Sequence, residues 1–395
     1  MGKLDRLIEE LCPDGVEYVR LAECCDIEDN KRKPVKSSLR IPGDTPYYGA
    51  NNIQDYVEGY THYGQYVLIA EDGSASLENY SVQYVDGFFW ANNHVHVIKG
   101  RKDLDTKFLY YYLTSFNFIP FLTGGTRAKL NKGNMEEIPI PIPPLPVQEE
   151  IVRILDNFTE LTAELTAELT AELTARKKQY EYYRDELLTF GDEVEWKTLG
   201  EVGIIERGNG LKKSDFVAEG FPCIHYGQIY TYYGTTAKET ISYVQPSLAE
   251  KLKNVKKGDI IIAVTSENLE DVCKPLVWLG DEEIVTGGHT AILRHNQNPK
   301  YIGYYLQTYM FFVQKRKLAQ GTKVIEVTPR KLENVKIPIP PLDQQERIVS
   351  ILDKFDALVN DISIGLPAEI EARQKQYEYY REKLLSFKEL DRKEA

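Results

Sequence analysis

Residues 140–158 read IPIPPLPVQEEIVRILDNF, and residues 337–355 read IPIPPLDQQERIVSILDKF. Each runs on to a second shared motif, ARKKQYEYYRDELLTF at 175–190 and ARQKQYEYYREKLLSF at 372–387. The offset is 197 residues throughout, and 30 of the 51 aligned positions are identical. Self-similarity at a fixed spacing is the mark of a duplicated architecture. Working outward, Val16-Glu17-Tyr18, Leu21 and Glu23 match Val194-Glu195-Trp196, Leu199 and Glu201. Gly125-Thr126-Arg127 matches Gly321-Thr322-Lys323, 15 and 16 residues before the IPIPP segments. Residues 16–139 and 194–336 otherwise align poorly. The plan is variable block, helix, variable block, helix.

After IPIPPL, Ile151, Ile154, Leu155, Phe158 and Leu161 follow i, i+3, i+4, i+7 spacing, which predicts a helix. Proline suits the entry to a helix, where its fixed φ fits and its missing N–H costs nothing. No Pro or Gly interrupts residues 147–190, so a helix of roughly 65 Å is expected there. Inside it, the unit TAEL occurs three times, at 162–165, 166–169 and 170–173, and leucines fall at 161, 165, 169 and 173. Four residues turn about 400°, so this stripe drifts about 40° per unit and winds around the helix. The second copy carries Gly365 and Pro367, which predict a kink or a break. Equal residue counts predict two arms of equal length, packed antiparallel with pseudo-twofold symmetry. Leu4, Leu7, Ile8 and Leu11 predict a short amphipathic helix that completes the C-terminal helical region.

The variable blocks read as α+β. Strand-like runs at Gln65–Ala70, Val95–Ile98, Asp259–Val264 and His289–Leu293 are separated by Gly, Asn and Asp turns. Each block closes on a tyrosine-rich helical segment, Phe108–Leu113 and Tyr301–Leu306.

At 395 residues, the chain implies two or three domains. With 42% apolar and 27% charged residues its composition is globular. No apolar run reaches the ~18–20 residues of a membrane span. The charged start MGKLDRLIEELCPDG lacks a signal-peptide core, so a cytoplasmic location is expected. Five cysteines without a CxxC fit a reduced protein without structural zinc. The net charge of −12 excludes a uniformly basic DNA coat. Residues 16–140 hold 13 basic and 16 acidic residues, residues 194–337 hold 19 and 16, and the remainder 16 and 28. The acid therefore lies on the helices and ends. Local basic clusters can still meet phosphate: Lys31-Arg32-Lys33 with Lys36, Arg127 with Lys129 and Lys132, Lys212-Lys213, Lys251/Lys253/Lys256/Lys257, and Lys315-Arg316-Lys317.

Motifs of catalysis are missing. There is no (N/D)PP(Y/F) loop for a flipped base, no GxxxxGK[ST] phosphate loop and no HExxH. Pro13-Asp14 with Asp29-Asn30-Lys31 is a weak PD…DxK match, and Pro13-Asp14-Gly15 reads better as a turn. His94 and His289 occupy similar places, in NNHV and GGHT, as turn histidines or as DNA contacts.

Tandem TAEL units between two KQYEYYR-bearing repeats, each opened by IPIPPL, resemble the specificity (S) subunit of a type I restriction–modification enzyme, of the class with TAEL repeats in its spacer helix. The resemblance covers essentially the whole chain. It implies a non-catalytic subunit in which each variable block is a target recognition domain reading half of a bipartite, asymmetric DNA site. It also implies that the helices set the spacing and dock two modification subunits, with restriction subunits joining them. On this reading the chain itself has no active site, cofactor or metal. S-adenosylmethionine belongs to the modification subunit of an adenine-specific methyltransferase, and ATP and Mg²⁺ belong to the restriction subunit of a phage-defence endonuclease. A protein-interaction scaffold without DNA specificity is the alternative.

The expected layout is an N-terminal helix (1–15), a first recognition domain (16–146), the central spacer helix (147–190), a second recognition domain (191–343) and a C-terminal helical region (344–395). Turns rich in Asn, Gln, Tyr and Lys suit base edges and phosphates. The candidates in the first block are Tyr47, Tyr48, Asn51, Asn52, Asn92, Asn93, Arg127 and Lys129. In the second they are Lys212, Lys213, His225, Tyr226, Gln228, Ser266, Asn268, His289 and Lys323. On the helices, Leu161, Leu165, Leu169, Leu173, Gln179, Tyr180, Tyr183 and Arg184, with Gln376, Tyr377, Tyr380 and Arg381, are the candidates for spacer and partner contacts.

Overall fold

The computed structural model describes residues 2–124, 128–360 and 365–390. The chain divides into two compact units, Met1–Ala167 with Glu371–Ala395, and Glu168–Ile370. The architecture is the mixed α+β repeat that the sequence implies.

In the first unit, six strands pair in the order Cys25–Ile27, Val95–Gly100, His62–Ala70, Val82–Ala91, Pro42–Gly49, Asn52–Val57. Neighbours are antiparallel except Pro42–Gly49 and Val82–Ala91, where Tyr47 and Tyr48 stand parallel to Trp90 and Ala91. Gly64 faces Gly87 across the sheet, both with positive φ (+125° and +112°), a backbone that L side chains rarely adopt. The helix Thr106–Thr114 covers the sheet, burying Phe108, Leu109 and Leu113 against Val67, Ile69 and Ile98.

The second unit holds two five-stranded sheets. One runs Gly203–Arg207, Thr290–His295, Ile260–Ala263, Lys274–Trp278, Thr236–Ala237. The other runs Phe216–Val217, Ser242–Val244, Phe221–Ile224, Ile284–Thr286, Lys253–Val255. In the latter, Cys223 and Ile224 pair in parallel with Val285 and Thr286, just as Tyr47 and Tyr48 pair with Trp90 and Ala91. The helix Pro299–Tyr305 is the counterpart of Thr106–Thr114.

The repeated landmarks close each unit the same way. Glu17–Arg20 pairs antiparallel with Pro139–Ile142, and Trp196–Thr198 with Lys336–Pro338. Behind each clasp lies a fully buried glutamine. Gln148 donates to the carbonyls of Asp103 (2.9 Å) and Pro143 (2.6 Å) and accepts from the Asp105 N–H (2.8 Å). Gln345 donates to the Pro340 carbonyl (2.8 Å) and accepts from the Asn298 N–H (3.0 Å). Asp105 and Asn298 then cap their tyrosine helices, each side chain accepting two backbone N–H groups that would otherwise be orphaned.

The long helix runs unbroken over Leu145–Leu187, with Pro146 in its first turn, and so starts slightly earlier and ends slightly earlier than the sequence predicts. The second arm is described as two helices, Leu342–Asn360 and Leu366–Leu385, with Pro367 in the first turn of the latter. Within the first unit, Phe158 packs on Tyr380 (ring centroids 6.0 Å) and Thr159 bonds Tyr377 (2.9 Å). Within the second, Tyr183 stacks on Phe355 (5.4 Å). Phe158 and Tyr380 are the positional twins of Phe355 and Tyr183, so one antiparallel contact is made twice.

The N-terminal helix Lys3–Leu11 packs Leu4, Leu7 and Ile8 into the first unit's core beside Leu384, Leu385 and Phe387. The Val16 N–H then donates to the Lys388 carbonyl (2.9 Å), and the Leu390 N–H to the Val16 carbonyl (2.9 Å). Gly15 makes this approach possible: its φ is +120°, and a Cβ there would stand 2.6 Å from the Lys388 oxygen.

Candidate nucleic-acid interface

The parallel pairing of Tyr47-Tyr48 with Trp90-Ala91 and that of Cys223-Ile224 with Val285-Thr286 each deliver a loop cluster, and most of the sequence candidates fall in these two clusters. In the first unit, the turn after Pro42–Gly49 carries Asn51, which donates to the Gly73 carbonyl (2.6 Å) and accepts from the Ala75 N–H (2.8 Å). It thereby pins the loop 71–80. Asn52 is exposed at φ +118°, its side chain accepting from the Ile53 N–H. Gln54 folds over Gly49, where a Cβ would stand 2.0 Å from its Nε2. Asn92 is buried and accepts from the His94 N–H (2.8 Å), while Asn93 and His94 are exposed. His94 Nδ1 lies 2.5 Å from Asp72 Oδ1. Lys129 reaches Glu71 (2.8 Å), which also holds Arg32 (2.7 Å). Tyr47 and Tyr48 face inward instead. The Tyr47 hydroxyl accepts from the Val35 N–H (3.0 Å), and Arg40 stacks on its ring (4.1 Å); Tyr48 packs edge-on against Phe89. Arg127 lies outside the described residues.

In the second unit, His225 and Gln228 form a capping box for the short helix Tyr226–Thr231. Gln228 accepts from the His225 N–H (2.9 Å) and donates to Ser242 (2.6 Å). Burial, with Lys213 and His289 close by, holds the His225 imidazole below its ordinary range. The Tyr226 ring bridges His225 (4.5 Å) and His289 (4.8 Å), and His289 Nδ1 lies 3.0 Å from Thr265 Oγ1. Ser266 and Asn268 shape the adjoining loop: Asn268 donates to Asp271 (2.7 Å) and accepts from its N–H (2.7 Å). Lys212, Lys213 and Lys323 are exposed.

The loops that follow the tyrosine helices are twins. Thr123 and Lys129 exchange two backbone hydrogen bonds (2.9 and 2.8 Å), as do Gln320 and Glu326 (2.9 and 2.8 Å). The GTK landmark of the second unit lies inside its tied loop, and the GTR landmark of the first unit falls outside the described residues.

Several basic clusters are neutralised locally. Lys253 pairs with Glu206, Lys256 with Glu283, Lys257 with Asp281 and Lys31 with Glu28. Lys315 is buried and donates to the carbonyls of Glu270 (2.6 Å) and Val272 (2.7 Å), so it joins backbone segments rather than facing outward. Asp29 of the weak nuclease pattern is structural. Burial alone would raise its carboxyl, but His96 (2.7 Å), the Val97 N–H (2.9 Å) and Arg32 hold it low. Among the described residues, no group of three or more His, Cys, Asp or Glu side chains could hold a metal. None of their helices is long and apolar enough to cross a membrane. The partners Asp72, Glu71 and Thr265 carry no sequence signal of their own, and only the fold brings them to Lys129, His94 and His289.

On the helices, the KQYEYYR motif divides into two faces. Tyr180 is buried, and Tyr183, Tyr377 and Tyr380 pack on the opposing helix of their own unit. Gln179 and Gln376 accept from Arg176 (2.9 Å) and Arg373 (3.3 Å), and Arg184 and Arg381 lie over Tyr180 and Tyr377. Leu165, Leu169 and Leu173 are half-buried and Leu161 is exposed, as a drifting stripe requires. Tyr182 and Tyr379 point to solvent, 63% and 60% exposed.

Residues 13–175 and 191–372 match the family model "Type I restriction modification DNA specificity domain". A putative type I restriction enzyme specificity subunit of Haemophilus influenzae is 48% identical over 97% of this chain and 98% of its own length. A type I restriction enzyme specificity subunit of Escherichia coli is 40% identical over 71% of this chain and 70% of its own. A chain from a solved structure on complex assembly and conformational transition of the type I R-M system superposes with TM-score 0.63. It is 18% identical and covers 95% of this chain and 98% of that one.

Proposed function

The chain belongs to the type I restriction modification DNA specificity family and acts as its DNA-recognition subunit, and we propose how its parts divide that work. Each unit reads one half of a bipartite site through the segments around one parallel strand pair, Tyr47-Tyr48 with Trp90-Ala91 in the first and Cys223-Ile224 with Val285-Thr286 in the second. These segments are residues 50–54, 72–80, 92–94, 123–124 and 128–129 in the first unit, and the helix start 225–228 with 265–271, 287–289 and 320–326 in the second. Exposed Asn52, Asn93, Lys129, Lys212, Lys213 and Lys323 meet base edges or phosphates. Asn51, Asn92, His225, Gln228 and Asn268 hold the loops in shape. The observation that carries this reading is that two blocks with little common sequence build the same loop cluster.

The continuous helix Leu145–Leu187 sets the spacing between the half-sites. The solvent-facing Tyr182 and Tyr379 belong to the surface that docks two modification subunits, and restriction subunits join that core. Methyl transfer from S-adenosylmethionine and ATP- and Mg²⁺-dependent cleavage take place on those partners in the cytoplasm. This chain supplies recognition and assembly and no reacting group.

The test uses the complex of this chain with its modification subunits. It should bind a duplex carrying its bipartite site at least 10³-fold tighter than scrambled DNA at physiological salt. Equal affinity for both duplexes would instead identify a scaffold without DNA specificity.

A further inference from the structure

Two exposed histidines hold one place in the two units. The His94 carbonyl accepts from the Glu71 N–H (2.8 Å), and the His289 carbonyl from the Val264 N–H (3.0 Å). The Glu71 and Val264 carbonyls in turn accept from Leu130 (2.8 Å) and Val327 (3.0 Å), the residues that leave the two twin loops. In each unit Nδ1 of the ring meets the side chain of the next residue, Asp72 Oδ1 at 2.5 Å and Thr265 Oγ1 at 3.0 Å. Nε2 of each ring makes no hydrogen bond among the described residues. The surroundings differ: Asn92-Asn93 precede one histidine and Gly287-Gly288 the other, and Lys129 stands where the second unit has Glu326.

We infer that His94 and His289 are one specificity-determining position present twice, each offering its outward nitrogen to a base edge of its own half-site. The inference rests on the reading of the two units as DNA-recognition units. An ionised carboxylate only accepts, so Asp72 fixes the ring proton on Nδ1 and leaves Nε2 of the neutral ring as an acceptor. In the major groove that acceptor fits the exocyclic amino group of adenine or cytosine. The Thr265 hydroxyl donates or accepts, so His289 Nε2 is free to take the opposite role. Asp72 and Thr265 are positioning residues that give the two copies different preferences.

The test is methylated-motif sequencing of DNA from cells that co-express the modification subunits with His94→Ala, His289→Ala or Asp72→Asn. Each histidine variant should lose discrimination at a base pair of one half-site, by about 10-fold or more. The other half-site and the gap should not change. Asp72→Asn should shift preference at the base pair affected by His94→Ala, which a purely structural role would not do. Should either alanine variant fail to assemble, His94→Gln and His289→Gln are read by the same criterion. A motif and methylation level identical to the parent in the histidine variants overturns the inference. A parent complex that methylates no bipartite motif overturns the underlying reading instead.

Discussion

The Tyr111 hydroxyl donates to Asp156 at 2.6 Å, joining the helix that closes the first recognition block to the long helix that follows it. Tyr304 does the same to Asp353 at 2.7 Å in the second unit. Lys107 and Lys300, one turn earlier, reach the same two carboxylates at 2.8 and 2.7 Å. A reading block mounted on a spacer transmits a fixed distance only if its mount is stiff, and this triad is the mount.

Tyr304→Phe removes a hydrogen bond to a charged acceptor, and so should destabilise the second unit by about 1.5–3 kcal/mol. Tyr111→Phe should act likewise on the first. Urea unfolding of the assembled complex measures this. An unchanged midpoint in both variants would show that the triad does not carry the mount.

Lys323 and Lys315 should behave oppositely. Lys323 is exposed on its loop, so Lys323→Ala should weaken binding about equally for all sequences and lower the salt slope by about 1. Lys315→Met leaves the Glu270 and Val272 carbonyls without their donor, which should cost about 1–3 kcal/mol of stability with the salt slope unchanged. Salt titrations of binding beside thermal melts separate the two. A salt slope lowered by Lys315→Met, or unmoved by Lys323→Ala, contradicts the assignment.

The second unit should lose stability in mild acid through His295. Burial pushes its imidazole down to about 4, while the unfolded chain titrates near 6.5. Because the folded value lies below the unfolded one, protonation favours unfolding. The contribution is complete above about pH 6.5 and is lost as pH falls through about 4. His295→Gln should flatten the stability profile across this window, as read by denaturant midpoints at a series of pH values. A wild-type profile already flat there would contradict the prediction.

The repeat and the helices were legible because the same physical solution is written twice. Apolar spacing, proline at the entry and a matching offset marked Leu145–Leu187, whereas the pairing of Glu17–Arg20 with Pro139–Ile142 came only with the fold. The reading surface was legible only in part. Asn51 and His225 stand in the proposed reading segments, yet both are spent on holding the backbone, and no local pattern separates a backbone-holding polar side chain from one aimed at a base. Tyr47 and Lys315 were indistinguishable from surface groups because their burial depends on partners, Val35 and Glu270, that lie 12 and 45 residues away. Asp72 became a candidate only once the fold set it against His94.

The most direct test of the central claim is methylated-motif sequencing of the complex with and without one TAEL unit, residues 162–165. Removing four helical residues shortens the helix by about 6 Å and turns its end by about 400°, within about 40° of the original face. At 3.4 Å per base pair, the account predicts the same two half-site sequences separated by one to two fewer base pairs. An unchanged gap, or altered half-site sequences, would contradict the claim that two independent reading units are spaced by this helix.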